Sequence, residues 1–245
     1  MLTVGVDLAA EPKKTAVAVL EWGGGAASVR SIELGLADAA IVARSVGAAT
    51  VGIDCAFGWP LEFVAFVAAH ARHEVAPREL AGADWRRRLA YRETDRVVHE
   101  YAAKWPLSVS TDRLGLTAMH CAELLDAFAA AGESVDRSGG GRLLEAYPGA
   151  ALKVWGVATL RYKIDADARA AALADLQRLA PWLEIPAVLR ALMVTSDDAF
   201  DAVVASLNAR AHALGLTLPV PPELLDIARS EGWIALPTGP LGALA

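Results

Sequence analysis

TVGVD at residues 3–7 and TVGID at residues 50–54 are near-copies, and their reading decides the fold. Successive side chains of a strand point to opposite faces. Each copy therefore sets Val4 and Val6, or Val51 and Ile53, on one face and Thr, Gly and Asp on the other. Both copies end on an acid, Asp7 and Asp54, just before a loop. Paired in parallel and in register, the two strands would hold these carboxylates about 5 Å apart at the backbone, the inter-strand spacing. Carboxylates that close share a divalent cation or shift each other's ionisation. Gly5 and Gly52 leave the same face open to a close neighbour. An acid at a strand end also has an ordinary use, bonding its own loop backbone. Two acids in one repeated pattern, at the carboxyl ends of neighbouring strands, point instead to a site.

Outward from these strands, residues 15–21 and 27–34 are apolar, β-branched runs separated by Gly23-Gly24-Gly25. With residues 2–8 they predict an antiparallel meander. Residues 36–47 read as a helix, so the chain opens β-β-β-α-β with the fourth strand parallel to the first. After the break at Gly58-Trp59, Pro60 opens a helix. Helical periodicity covers 60–73, 94–105 and 115–131, and residues 60–138 read as a helical insertion that ends at Ser138-Gly139-Gly140-Gly141. Residues 142–147 form a strand carrying Glu145, and Pro148 starts another helix. Helices follow at 166–180 and at 197–214, the latter begun by Thr195 and Ser196. EGWIALP at 231–237 reads as a short last strand. Residues 1–245 are expected to form one α/β domain.

The chain has 245 residues, 55% hydrophobic and 21% charged, the composition of a folded globular protein with a full core. No apolar run reaches the roughly 18 residues of a membrane span. The N-terminus enters a strand directly, with no basic n-region or cleavage site. Cys55 and Cys121 make neither a CxxC pair nor a disulfide framework, and both are expected to be buried. A cytoplasmic location and no membrane partner are expected. The net charge of −6 speaks against a broadly basic nucleic-acid binder. Positive charge gathers locally: residues 72–113 carry nine bases against seven acids. Arg86, Arg87 and Arg88, beside Trp85 and Tyr91, are the best phosphate-contact candidates there, with a solvated helix face as the alternative.

The acids able to join Asp7 and Asp54 are Glu145 and one or more of Asp197, Asp198 and Asp201. An all-oxygen set without His or Cys suits Mg²⁺ or Mn²⁺, ions that hold phosphate oxygens and activate water. Asp197 and Asp198 have a sufficient reason to open a helix, because they complement its positive end. Asp201 lies farther in, opposite the apolar stripe of Phe200, Val203, Val204 and Leu207, so it faces either water or a site. His70 and His73 form no zincin motif and read as surface residues. Gly139–Gly141 precedes a strand, the wrong order for a phosphate loop, and no GxSxG is present.

VGVDLAA at 4–10, VGIDCAFGWP at 51–60, YRETDR at 91–96, EAYPGAAL at 145–152, DAFDAVVAS at 198–206 and EGWIALP resemble, in this order, one family. It is the family of unknown function numbered 429, described as predicted nucleases of the ribonuclease-H-like superfamily. The resemblance implies a mixed five-stranded sheet in the order β-β-β-α-β-α-β-α. It implies Asp7 and Asp54 as metal ligands, with a last carboxylate from the helix at 197–214. The match of DAVVAS favours Asp201, with Asp198 one turn earlier as second choice. Glu145 matches the family's Glu before Tyr-Pro and is carried over as a catalytic acid. Arg92, Thr94 and Asp95 match its Arg-x-Thr-Asp/Glu segment and are carried over toward the substrate. The expected activity is a Mg²⁺- or Mn²⁺-dependent nuclease or phosphodiester hydrolase acting on nucleic acid or a nucleotide-containing substrate. Two other classes remain in view: a phosphotransferase of the actin and sugar-kinase type, and a non-catalytic binding module. DLAAEPKKT after the first strand has no Gly and argues against the phosphotransferase. The long stretch at 60–138 departs from a minimal ribonuclease H.

Overall fold

The β-branched runs become strands and the 3.6-periodic runs become helices. The computed structural model describes residues 1–76 and 78–245. The elements are β1 (Leu2–Asp7), β2 (Ala16–Gly23), β3 (Ala26–Leu34), α1 (Asp38–Arg44), β4 (Thr50–Asp54), α2 (Leu61–Ala71), α3 (Gly82–Ala90) and α4 (Glu93–Ala102). There follow α5 (Gly115–Ala130), β5 (Leu143–Glu145), α6 (Pro148–Val154), α7 (Ala166–Leu179), β6 (Leu183–Glu184), α8 (Ala187–Thr195), α9 (Asp197–Ala213) and α10 (Leu225–Glu231). Of these, α3, β6, α8 and α10 were not anticipated. Among the described residues no helix is long and apolar enough to cross a membrane.

The strands form one mixed sheet in the order β5-β4-β1-β2-β3-β6. β1, β2 and β3 make the antiparallel meander. Gly24 and Gly25, with φ of 61° and 75°, turn the hairpin between β2 and β3, a conformation that a Cβ would strain. β4 lies parallel to β1 in the register that the twin sequences ask for, with Thr3 opposite Thr50, Gly5 opposite Gly52 and Asp7 opposite Asp54. The sheet has six strands where five were expected. The sixth, β6, adds two residues in parallel to the edge of β3, too short for any periodicity to announce. The expected strand at 231–237 is corrected to two isolated bridges, Ile234 with Glu145 and Pro237 with Thr217. Side chains take part of its backbone: the Thr94 hydroxyl accepts from Ile234 N (2.8 Å), and Asn208 Nδ2 donates to Ala235 O (2.6 Å).

On one face of the sheet, Val4, Val6, Val51 and Ile53 pack against Ile41 of α1 and Leu124 and Phe128 of α5. The insertion therefore contributes to the core. Cys55 and Cys121 lie buried and free in the same cluster. Across the other face lies α9, started by Ser196, whose Oγ accepts from Ala199 N at 3.1 Å. Twelve of its seventeen residues are buried. This corrects the amphipathic reading of 197–214: the sheet covers one side, while α6 and α8 cover others. α9 comes this close because the facing strands carry Thr and Gly. A Cβ on Gly5 would overlap the Ala202 carbonyl and the Ser206 amide, and one on Gly52 the Ala205 carbonyl. The Thr3 and Ser206 hydroxyls bond at 2.8 Å, and the Thr50 hydroxyl donates to Ala209 O at 2.8 Å. The repeated Thr-x-Gly-x-Asp face is thus the seat of α9, with both Asp residues left at the helix's N-terminal end.

His120 on α5 ties the loop after β1 to α1, its Nδ1 bonding Ala9 O at 2.5 Å and its Nε2 bonding Asp38 Oδ1 at 2.7 Å. A carbonyl and a carboxylate only accept, so the ring carries both protons. Burial works against that charge, but the bonds to Ala9 and Asp38 outweigh it and hold the pKa above the ordinary histidine value. The sign follows from linkage. The contribution is fully present below the unfolded pKa of about 6.5 and is lost as pH rises through the higher folded value. Urea melts from about pH 6 to about pH 9 should show wild type losing roughly 1 kcal/mol relative to His120→Gln. A difference that does not change with pH would mean that the ring is bound neutral.

Candidate metal centre

The ends of β1 and β4 and the second turn of α9 bring three acids together. One carboxylate oxygen from each of Asp7, Asp54 and Asp201 lies within 4.8 Å of the other two. Asp201 is fully buried, while Asp7 and Asp54 keep partial access at the floor of a cleft. Asp201 therefore reaches into the site and does not face water. Asp198, one turn earlier, is partly buried, and burial, then the charge of Asp197, raises its carboxyl above the ordinary value.

The group holds more negative charge than its surroundings balance. Burial, then the charges of Asp201 and Asp54, push the Asp7 carboxyl well above the carboxylate range. Burial also pushes Asp54 up to about 7, although Lys163 opposes it. The Asp201 carboxyl is raised by burial and partly relieved by Lys163 and Tyr162. The Lys163 ammonium sits 2.6 Å from Asp201 Oδ2, and the Tyr162 hydroxyl donates to Oδ1 at 3.1 Å. Burial works against the Lys163 charge, but Asp201 and Asp54 more than offset it and hold the pKa above the usual lysine range. A fixed turn carries both side chains. Arg161 takes φ of 62°, and the buried Arg169 donates to Tyr162 O at 2.6 Å and Val194 O at 2.9 Å. A non-glycine residue in that region costs about 1–3 kcal/mol and clusters at functional sites. Sequence reading missed Tyr162 and Lys163. A single lysine in an aperiodic loop is ordinarily a surface residue, so no local signal marked it.

Glu145 is not part of the three-acid group, which corrects the expectation that four acids converge. Both its oxygens go to Arg92, Oε1 to Nη2 at 2.6 Å and Oε2 to Nη1 at 2.8 Å, and Oε2 also accepts from Phe57 N at 3.0 Å. Arg92 gives its remaining donors to Asp95 Oδ2 (3.3 Å), Asp95 Oδ1 (2.9 Å) and Glu231 O (3.1 Å). All five guanidinium N–H groups are thereby used. Thr94 accepts from Ile234, as above, and Asp95 also accepts from Arg92 N at 2.9 Å. Arg92, Thr94 and Asp95 are thus a buried clasp joining α4, β5 and the segment after α10. The polar atoms carried over toward a substrate are occupied inside the protein.

The cleft above the acids has a volume of about 530 Å³. Lys104 and Lys163 line it, from the insertion and from the loop before α7. Arg86, Arg87 and Arg88 do not. They lie on α3, where Arg88 bonds Glu62 and Glu93, both at 2.9 Å, and Arg87 reaches Asp84 at 3.5 Å. The tripeptide belongs to the solvated-face alternative at this cleft.

Three carboxylate oxygens at this separation are a set that can hold a metal ion. No curated protein and no solved structure matches the chain. The profile of the family described as protein of unknown function (DUF429) matches residues 5–224. The end of the first strand copy from Gly5 to Asp7, the whole of the second and α9 lie inside that match, and the chain belongs to the DUF429 family of proteins of unknown function.

Proposed function

We propose that this protein is a phosphodiester hydrolase, working with Mg²⁺ or Mn²⁺ held by Asp7, Asp54 and Asp201. The observation that carries the reading is the convergence of these three carboxylates, from two parallel strands and a helix, at the foot of a cleft. The donor set fits a hard ion: it is all oxygen, and among the described residues its one ion pair is Asp201 with Lys163. The meander of three strands, with a fourth parallel beside the first, supports a ribonuclease-H-like core.

A bound divalent ion would polarise the phosphate and acidify a water molecule. The chain supplies the rest. Tyr162 and Lys163 fix the Asp201 carboxylate. Lys163 keeps its proton and sets positive charge in the cleft where charge builds on the phosphate oxygens. In the reaction the water oxygen bonds to phosphorus, the P–O bond to the leaving alcohol breaks, and the water's proton ends on that alcohol.

The test uses protein stripped of metal by a chelator. Adding Mn²⁺ should start hydrolysis of labelled DNA, RNA or a small diester, and Asp7→Asn should slow it at least about a hundredfold. Mn²⁺ binding by calorimetry with no phosphodiester hydrolysed would overturn the hydrolase reading.

A further inference from the structure

Resting on that reading, we infer that the ester taken by this cleft is a small phosphodiester with at least one apolar or aromatic ester group, and not a nucleic-acid strand. The volume of about 530 Å³ lies within the roughly 300–1,000 Å³ of small-ligand pockets. The insertion closes one side with Lys104, Pro106, Leu107 and Leu114, and the loop before α7 supplies Lys163 and Ile164.

Charge and apolar surface divide the cleft in two. The acids lie at the floor, with Lys104 and Lys163 among the lining. Lys104 Nζ donates to Gly149 O at 3.0 Å, which leaves two further protons for an anion. At the mouth stand carbon surfaces. Leu107 is 51% exposed and Ile164 78% exposed, and both line the cleft. Large aliphatic groups left in water at the entrance of a charged site are where the organic part of a ligand would rest. One phosphate at the acids and one apolar group at the mouth satisfy both regions.

A nucleic-acid strand asks for something else. It needs a row of cations that follows successive phosphates. Among the described residues the cleft offers only Lys104, Arg161 and Lys163 beyond the fully engaged Arg92, and Arg161 is turned to Asp165 at 3.5 Å. The arginine run on α3 is elsewhere. The net charge of −6 adds to the mismatch.

Calorimetry on the Mn²⁺-loaded protein separates the possibilities. Phenyl phosphate should bind at least about tenfold more tightly than inorganic phosphate, because the ring adds buried apolar area. Leu107→Asp and Ile164→Asp, both at exposed positions, should bring the two ligands level and leave Mn²⁺ affinity unchanged. In turnover, bis-p-nitrophenyl phosphate should be hydrolysed with a higher kcat/KM than any site in a single-stranded oligonucleotide. The two variants should raise KM for the small diester without lowering kcat. Equal binding of phenyl phosphate and phosphate, or preferred cleavage of the oligonucleotide with loss of that preference in the triple variant Arg86→Ala, Arg87→Ala, Arg88→Ala, would overturn the small-substrate inference. The hydrolase reading would stand in either case. Mn²⁺ binding without hydrolysis of either substrate would sink the hydrolase reading and this inference with it.

Discussion

Arg92→Leu is expected to cost about 3–5 kcal/mol of stability, the cost of removing one partner from a buried charge network. Arg92 is 2% exposed, and its guanidinium spends all five donors on Glu145, Asp95 and Glu231 O. Without it, Glu145 and Asp95 face each other as acids, 2% and 0% exposed, with no cation between them. Glu145 would keep the Phe57 amide, and Asp95 the amide at position 92. Neither bond replaces a guanidinium. Domains of this kind have about 5–15 kcal/mol in total, so the loss is a large part of the whole. Arg92→Lys should fail almost as badly, because one ammonium cannot serve two carboxylates and a carbonyl in a fork geometry. Urea denaturation reads the effect. A loss under about 1 kcal/mol for Arg92→Leu would show that the clasp is not a unit. Stability partly restored in Arg92→Leu with Glu145→Gln would show that the stranded charge is the cause.

The clasp also shows where sequence reading stops. The YRETDR segment was visible as a motif, but its partners lie 53 residues away at Glu145, 139 at Glu231 and 140 at Ile234. No local pattern tells an arginine that contacts substrate from one spent inside the protein. β1 and β4 were legible for the opposite reason. Their period-2 alternation is local, and slipping one strand by a single residue would turn Val51 and Ile53 from the core toward α9. The Asp7–Asp54 pairing followed from that alone. Asp201 lay between these cases. A helical projection compares faces of one helix and cannot know that α6, α8 and the sheet surround it, so an acid at the centre of the molecule read equally as one facing water. Lys163 gave no signal at all. Its meaning comes from the turn at Arg161, which Arg169 holds from α7.

Asp54→Asn is expected to abolish stabilisation by Mn²⁺ and to leave the chelator-treated protein no less stable than wild type at about pH 8. The sign comes from the raised acids. Burial first, then Asp201, pushes the Asp54 carboxyl to about 7, against an unfolded value near 3.9. A raised folded pKa gives stability that is complete below the unfolded value and is lost as pH rises through the folded one. In metal-free wild type that loss falls between about pH 4 and pH 7, the interval the two values bound. Asn carries no such charge and escapes the loss. A divalent ion inverts the balance, because it binds the ionised carboxylates of the folded state alone. At a hundred times its Kd the ion should stabilise wild type by about 2.7 kcal/mol, a rise in Tm of roughly 5–10 °C for a chain of this length. Mn²⁺ affinity should climb with pH as the protons that compete for the raised carboxylates leave. Differential scanning calorimetry with and without Mn²⁺ reads both effects. An equal rise in Tm for wild type and Asp54→Asn would place the ion elsewhere, and an affinity independent of pH would show that these acids are ionised without it.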